Sequence, residues 1–218
     1  ENSSAASDVY KRQMLFLGTE KYPEANGYQR FISAHGGSHN AYTSFEYTNY
    51  FFDIQKDHFD NALDRFADFF VSPNFDKNYV EREINAVEAE YRSRILDESR
   101  RIIDATRSVA NQTHPFSQFS VGSIETLDKP SLRDDLIAFY HRHYSANKMT
   151  LAVVADYPLD TLERMVTTRF SNVPNRKTVD ASIEMSVFEE LPSLLSVKTY
   201  KPVRSLLFAF PMPDVKQT

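Results

Sequence analysis

The chain has no cysteine. That excludes a disulfide scaffold, a thiolate metal site and a cysteine nucleophile. It leaves the compartment open. No apolar run approaches the roughly 20 residues that a bilayer-crossing helix needs. A basic surplus is also lacking. The 25 Lys and Arg stand against 30 Asp and Glu, a formal charge of −5, which argues against broad nucleic-acid binding. The polar N-terminus shows no secretory pattern, but it begins with Glu rather than Met, so that absence says nothing about export. There is no Gly-rich phosphate loop, no Ser/His/Asp spacing signal and no basic stripe. What remains is an ordinary globular composition over 218 residues, with 41% hydrophobic, 13% aromatic and 25% charged residues. Such a chain suffices for one large domain or two small ones, with a core that needs no staples.

Residues 1–13, ENSSAASDVYKRQ, lack apolar periodicity and read as a tail or linker. Met14 to Phe16 open a short apolar run that stops at Gly18. Tyr28, Phe31 and Ile32 sit at helical spacing and predict a short helix ending at Gly36-Gly37. From Asn40 to Ile54 the pattern is strand-like, rich in aromatics and Thr. Residues 57–71 carry Phe59, Ala62, Leu63, Phe66, Phe69 and Phe70 at the spacing of an amphipathic helix, which places His58 one turn inside it. Asp76 to about Asn111 reads as one long or broken helix. Residues 116–130 read as a loop with a turn at Gly122, and 131–144 as a helix. The run 149–157, MTLAVVADY, predicts a short buried strand, and Pro158 to Phe170 a helix. Residues 171–182 are the best linker. The segment 194–210 predicts two strand-like pieces split by Lys201-Pro202. Helices and strands mix without regular alternation, which favours an α+β fold.

Chemistry has few places to sit. At about 100° per residue, Glu83 and Glu90 fall on the edge of an apolar helix face carrying Ile84, Val87 and Tyr91, two turns apart. Glu81 and Glu88 point elsewhere. A carboxylate on an inward stripe is costly unless paired or bound to a metal. Two readings stand: carboxylates at a wet boundary or paired with Arg82, Arg92 or Arg94, and a metal or catalytic pair. The histidines offer less. Gly36 and Gly37 separate His35 from His39, and in a helix His141 and His143 face apart. His58 and His114 read, like the others, as surface or capping groups.

The strings themselves go further. MLFLGTEKYP at 14–23, HGGSHNAYTSFEYTNYFFDI at 35–54, REINAVEAEY at 82–91, HPFSQFSVGSIETL at 114–127 and FYHRHYSANKM at 139–149 resemble the pitrilysin and insulinase family of zinc metallopeptidases, in the family's order and spacing. The match runs from Met14 to at least Lys177. The HGGSHNA turn and the YSAN element look closest to the bacterial pitrilysin branch, which implies a periplasmic location. The resemblance implies one zinc, bound by an inverted H-x-x-E-H motif whose Glu is the general base. Glu90 matches the third zinc ligand. Glu83 matches a second acidic position that backs the ligands without touching the metal. The segment 38–43 matches an edge strand to which family members add a peptide substrate, and Asn40 and Ala41 are the positions carried over. The implied partners are a peptide substrate and the remaining domains of the same parent chain, with no nucleic acid and no membrane. The implied fold is an incomplete first domain of the family's α+β unit, an antiparallel-rich sheet with helices packed on it. Residues 14–177 match the first part of that domain, and 178–218 a linker with the start of its second part.

The departure is sharp. In the family, H-x-x-E-H directly precedes the MLFLGT-like stretch. Here Val9, Tyr10, Lys11, Arg12 and Gln13 occupy those places. Both His ligands and the general base are missing, and one carboxylate does not hold a catalytic zinc. The expectation is a foreign or disordered head, residues 1–13, joined to a truncated peptidase domain that is inactive as written and prone to aggregate through unpaired sheet edges. The other reading is a natural non-catalytic family member that binds peptides or acts as a scaffold.

Overall fold

The computed structural model describes residues 15–44, 47–94, 97–117, 124–179, 185–199, 204–210 and 212, and only the backbone of Glu81, Glu90, Arg94, Glu125 and Thr126. Helix α1, Gly27–Ala34, buries Tyr28 and Ile32. It ends as expected at the two glycines. Gly36 takes a left-handed φ of 66°, the Gly36 amide donates to the Ser33 carbonyl, and the Gly37 amide donates to the Ile32 carbonyl. These paired bonds close a Schellman cap, and the chain leaves it directly into a strand. The strand-like stretch is a hairpin: β1, Ser38–Thr43, pairs antiparallel with β2, Thr48–Asp53.

A 3-10 turn, Lys56–His58, leads into α2, Phe59–Val71. His58 therefore precedes this helix rather than lying a turn inside it. The predicted long helix is broken into α3, Lys77–Arg94, and α4, Glu98–Ser108. Asp97 starts the second piece, its carboxylate accepting from the Arg100 amide at 2.9 Å. The expected loop at 116–130 contains a short helix, α5, Ile124–Leu127. Side-chain capping makes this helix possible. The Ile124 amide donates to Glu88 Oε2 at 2.8 Å while Arg92 donates to Glu88 Oε1 at 2.7 Å. Gly122 lies outside the described residues. Helices α6, Leu132–His143, and α7, Leu159–Phe170, stand where the sequence puts them.

Two strand predictions fail for one reason. Residues 149–157 form no strand. Val153, Ala155 and Tyr157 pack on Phe59, Leu63 and Leu162, but Val154 between them is 98% exposed. The alternation is that of a strand, but among the described residues the only sheet is the β1–β2 hairpin. The described parts of 194–210 likewise form no strand, and Leu206, Leu207, Phe208 and Phe210 are exposed. Lys201 and Pro202 lie outside the described residues. The predicted linker is also not free over 171–179. Val173 is buried, the Arg176 amide donates to Ser145 Oγ at 2.7 Å, and the Arg176 guanidinium donates to the Tyr144 carbonyl at 2.7 Å.

Among the described residues, three apolar clusters hold the α+β fold together. Val80 and Val87 of α3 meet Leu127, Leu132, Leu136 and Tyr140. Tyr28 and Ile32 of α1 meet Phe66, Phe69 and Phe70 of α2 beneath the hairpin residues Tyr50 and Phe52. Phe59 and Leu63 meet Leu162 of α7. The Tyr140 hydroxyl donates to the Phe70 carbonyl at 2.7 Å, joining the first cluster to the end of α2.

Candidate functional site

One bond fixes which backbone groups of β1 face outward. The Ser44 amide donates to the Tyr47 carbonyl at 2.8 Å, so these two residues form a hydrogen-bonded pair. Antiparallel ladders alternate such pairs with unbonded ones. In the observed register, Thr43 faces Thr48, Tyr42 faces Asn49, Ala41 faces Tyr50 and Asn40 faces Phe51. Asn40 and Tyr42 thus spend their N–H and C=O groups on β2, and His39, Ala41 and Thr43 turn theirs outward. Among the described residues no third strand meets them. The Ala41 amide is taken instead by the Asn40 side chain, whose Oδ1 accepts it at 2.8 Å. Asn40 and Ala41 therefore sit together on an edge that meets no third strand among the described residues, although Ala41 itself is buried. His39 and Thr43 add outward groups that residue patterns alone did not reveal, because the parity comes from the hairpin closure.

Next to this edge lies a pocket of about 160 Å³ lined in part by Phe16, Asn26, Gln29, His39 and Glu83. The His39 ring makes edge contacts with Phe16 and Tyr28, at 5.2 and 5.3 Å between centroids. Burial holds its pKa below the ordinary imidazole value. Burial also pushes the Tyr28 phenol up, and its hydroxyl has no hydrogen-bond partner among the described residues. Glu83 comes from α3, beside the fully buried Val87. Burial raises its carboxyl above the ordinary value, against a smaller downward pull from Arg82.

The Glu83 shift carries a sign that can be tested. A carboxyl raised in the fold binds its proton more tightly folded than unfolded. Its contribution is present at low pH and is lost as pH climbs from the ordinary value of 4.5 through the raised one. Glu83→Gln should therefore raise the melting temperature at pH 7 and leave it nearly unchanged at pH 4. Thermal melts at both values check this, and a lower Tm at pH 7 would show that the carboxylate has an ionic partner.

Glu90 lies two turns further along α3, roughly 10 Å up the axis at 1.5 Å per residue, and its side chain is outside the described residues. Of the arginines that were candidates to pair with these glutamates, Arg92 binds Glu88 instead, and Arg94 is described only as backbone. The residues present do not fit a catalytic zinc. Glu90 alone remains of the implied ligand set, Val9 to Gln13 supply no His, and among the described residues no three His, Cys, Asp or Glu side chains converge to hold a metal.

The other histidines divide. His114 Nδ1 accepts the Phe116 amide at 3.0 Å, and His141 Nδ1 lies 3.1 Å from the Arg176 guanidinium. Both are the surface and capping roles expected. His35 and His58 are different. Their rings meet at 3.7 Å between centroids, a contact across 23 residues that spacing does not reveal.

Comparison with known proteins decides the kinship. The family model for the insulinase peptidases, family M16, matches residues 10–116, and that for the M16 inactive domain matches residues 131–218. The chain belongs to peptidase family M16. It is 39% identical to human insulin-degrading enzyme over 201 residues, covering 88% of this chain and 20% of that protein. It is 37% identical to the A-factor-processing enzyme of Saccharomyces cerevisiae over 212 residues, covering 94% of this chain and 21% of that protein. The crystal structure of pitrilysin superposes with a TM-score of 0.81 at 35% identity, over 86% of this chain and 21% of that one. The chain spans about a fifth of the length of the curated relatives it matches. No described helix is long and apolar enough to cross a membrane.

Proposed function

We propose that this M16 chain carries the peptide-holding edge of a zinc metalloendopeptidase, in which a zinc-activated water cuts peptides bound as an added strand. The observation that supports this reading is the outer edge of β1. His39, Ala41 and Thr43 present alternating backbone donors and acceptors beside the pocket that Glu83 lines. Backbone pairing tolerates many side chains, which suits a broad peptide substrate class. Asn40 would hand the Ala41 amide over to the incoming strand. Glu90 would be the third metal ligand in the parent enzyme, with Glu83 behind the metal. In this chain VYKRQ stands at residues 9–13 in place of the His ligands and base, so it holds peptide without cutting it. Within the proposal, residues 14–177 form the first part of the N-terminal peptidase domain and 178–218 open its second part. The remaining domains of the parent are its partners. Periplasmic location rests on the likeness to pitrilysin alone. A non-catalytic, peptide-binding family member is the second reading, favoured by the same donor set. Sequencing the source DNA upstream of the codons for MLFLGT separates the two: H-x-x-E-H codons there mean an enzyme, and a continuous frame through VYKRQ means a binding module.

Fluorescence anisotropy with a labelled, unstructured 12-residue peptide tests the edge. Ala41→Pro deletes the outward amide and should weaken binding by about tenfold, roughly 1.4 kcal/mol. Adding zinc or a chelator should change nothing, and mass spectrometry should find the peptide intact. Equal binding by Ala41→Pro and the parent sequence would sink the reading.

A further inference from the structure

We propose that His35 and His58 are positioning residues, a two-ring clasp that holds the base of the hairpin and so fixes the outer edge of β1. His35 occupies the C-cap of α1, two residues before the Gly37–Ser38 entry to β1. Its Nδ1–H donates to the Phe31 carbonyl at 2.7 Å, and an acceptor there means that Nδ1 carries the proton. The ring packs against Phe31 at 4.5 Å and against His58 at 3.7 Å between centroids, tilted by 44° to each. His58 sits after the exit of β2, in the 3-10 turn that opens α2, and its amide donates to the Gln55 carbonyl at 3.0 Å. The ring pair therefore spans the mouth of the hairpin, tying the segment that feeds β1 to the start of the buried helix α2. Backbone and side-chain bonds share the same corner, the Gln55 amide to the His35 carbonyl at 3.5 Å and the Ser38 amide to Asp53 Oδ1 at 3.1 Å. The Ser38–Asp53 bond joins strand to strand. The Gln55–His35 bond and the ring pair tie the end of α1 to the turn that opens α2.

The pair holds by ring-on-ring packing and by the Nδ1–H bond of His35 to the Phe31 carbonyl. No carboxylate bonds either ring among the described residues. Without the ring contact, β1 loses its fixed edge before the helices loosen. The consequence for peptide binding rests on the reading of β1 as the peptide-holding edge. The clasp itself does not.

Amide hydrogen exchange on the full 218-residue chain reads the clasp directly. The reporters are the ladder amides of Asn40 and Tyr42, with the α6 amides as reference. At pH 7.5, His58→Gln should speed exchange at Asn40 and Tyr42 by about three- to tenfold, the worth of one aromatic contact, with α6 unmoved. His58→Phe, which keeps a ring on His35 but takes no proton, should restore protection. Three results would overturn the proposal: unchanged protection in His58→Gln, no rescue by His58→Phe, or loss spread evenly over α6. The labelled 12-residue peptide then separates the two ideas. Loosening that tracks the clasp with no peptide bound at any pH leaves the clasp standing and removes the peptide-holding reading.

Discussion

Gly37→Ala should abolish the hairpin's native register and cost at least about 2 kcal/mol of stability, the scale of forced backbone shifts. A Cβ at Gly37 would sit inside contact distance of the Asp53 carbonyl oxygen, and 3.0 Å from both the Asp53 carbonyl carbon and the Ile54 Cα. All of these are backbone atoms of the partner strand and its exit, so nothing can swing aside. Gly36→Ala makes the informative contrast. Gly36 has the left-handed φ of 66°, but a Cβ there meets only the flexible Gln55 side-chain amide, at 2.7 Å. Its cost should be about 1 kcal/mol, that of a non-glycine residue in a left-handed conformation. Backbone angle alone would rank the two the other way, because Gly36 is the one with positive φ. Urea denaturation of both variants decides, and a Gly37→Ala midpoint no lower than that of Gly36→Ala would refute the clash. Peptide binding should vanish in Gly37→Ala, since the outer edge of β1 goes with the register.

Phe66→Ala should be as damaging from within the core, by about 3–5 kcal/mol. Phe66 is 5% exposed. Its ring contacts Phe52, Phe70 and Phe69 at 5.0, 5.4 and 6.1 Å between centroids, so the cavity opens between α2 and the hairpin. Domains of this size have about 5–15 kcal/mol in hand, so this one substitution removes a large share of it. Phe51→Ala, one residue along β2 on the outward face, removes a half-exposed ring and should cost less than about 0.5 kcal/mol. Equilibrium unfolding followed by circular dichroism checks both, and a cost below about 1 kcal/mol at Phe66 would show that the site collapses around the void.

The helices were legible because each carries its own periodicity and its own stops. Phe59 to Phe70 repeat at helical spacing and end at Ser72-Pro73, and Gly36-Gly37 announce the close of α1. Strands were less legible, because a strand needs a neighbour that its own residues do not specify. Residues 149–157 alternate like a strand and pack on α2 and α7, yet without a ladder they remain an extended segment. Helix α5 was missed because its cap is Glu88, 36 residues away. At the candidate site, the inward edge position of Glu83 was readable from helical geometry alone. The parity of β1 and the His35–His58 contact were not, since both depend on where two distant turns place the chain. The roles proposed for Glu83, Glu90, Asn40 and Ala41 come from the resemblance to the family's motifs, since spacing left them open.

The single bond from Ser44 to Tyr47 also makes the place of loop closure a phase setting for the whole strand. The bonded pair closes on residues 45 and 46, the two-residue loop of a tight hairpin. Removing two of the four residues between Thr43 and Thr48 would leave another two-residue loop, closed by Thr43 and Thr48. The bonded pairs of the ladder would then exchange with the unbonded ones. Asn40 and Tyr42 would face outward, and Ala41 would turn its backbone groups toward its partner. A deletion at the tip is therefore felt at the far end of β1.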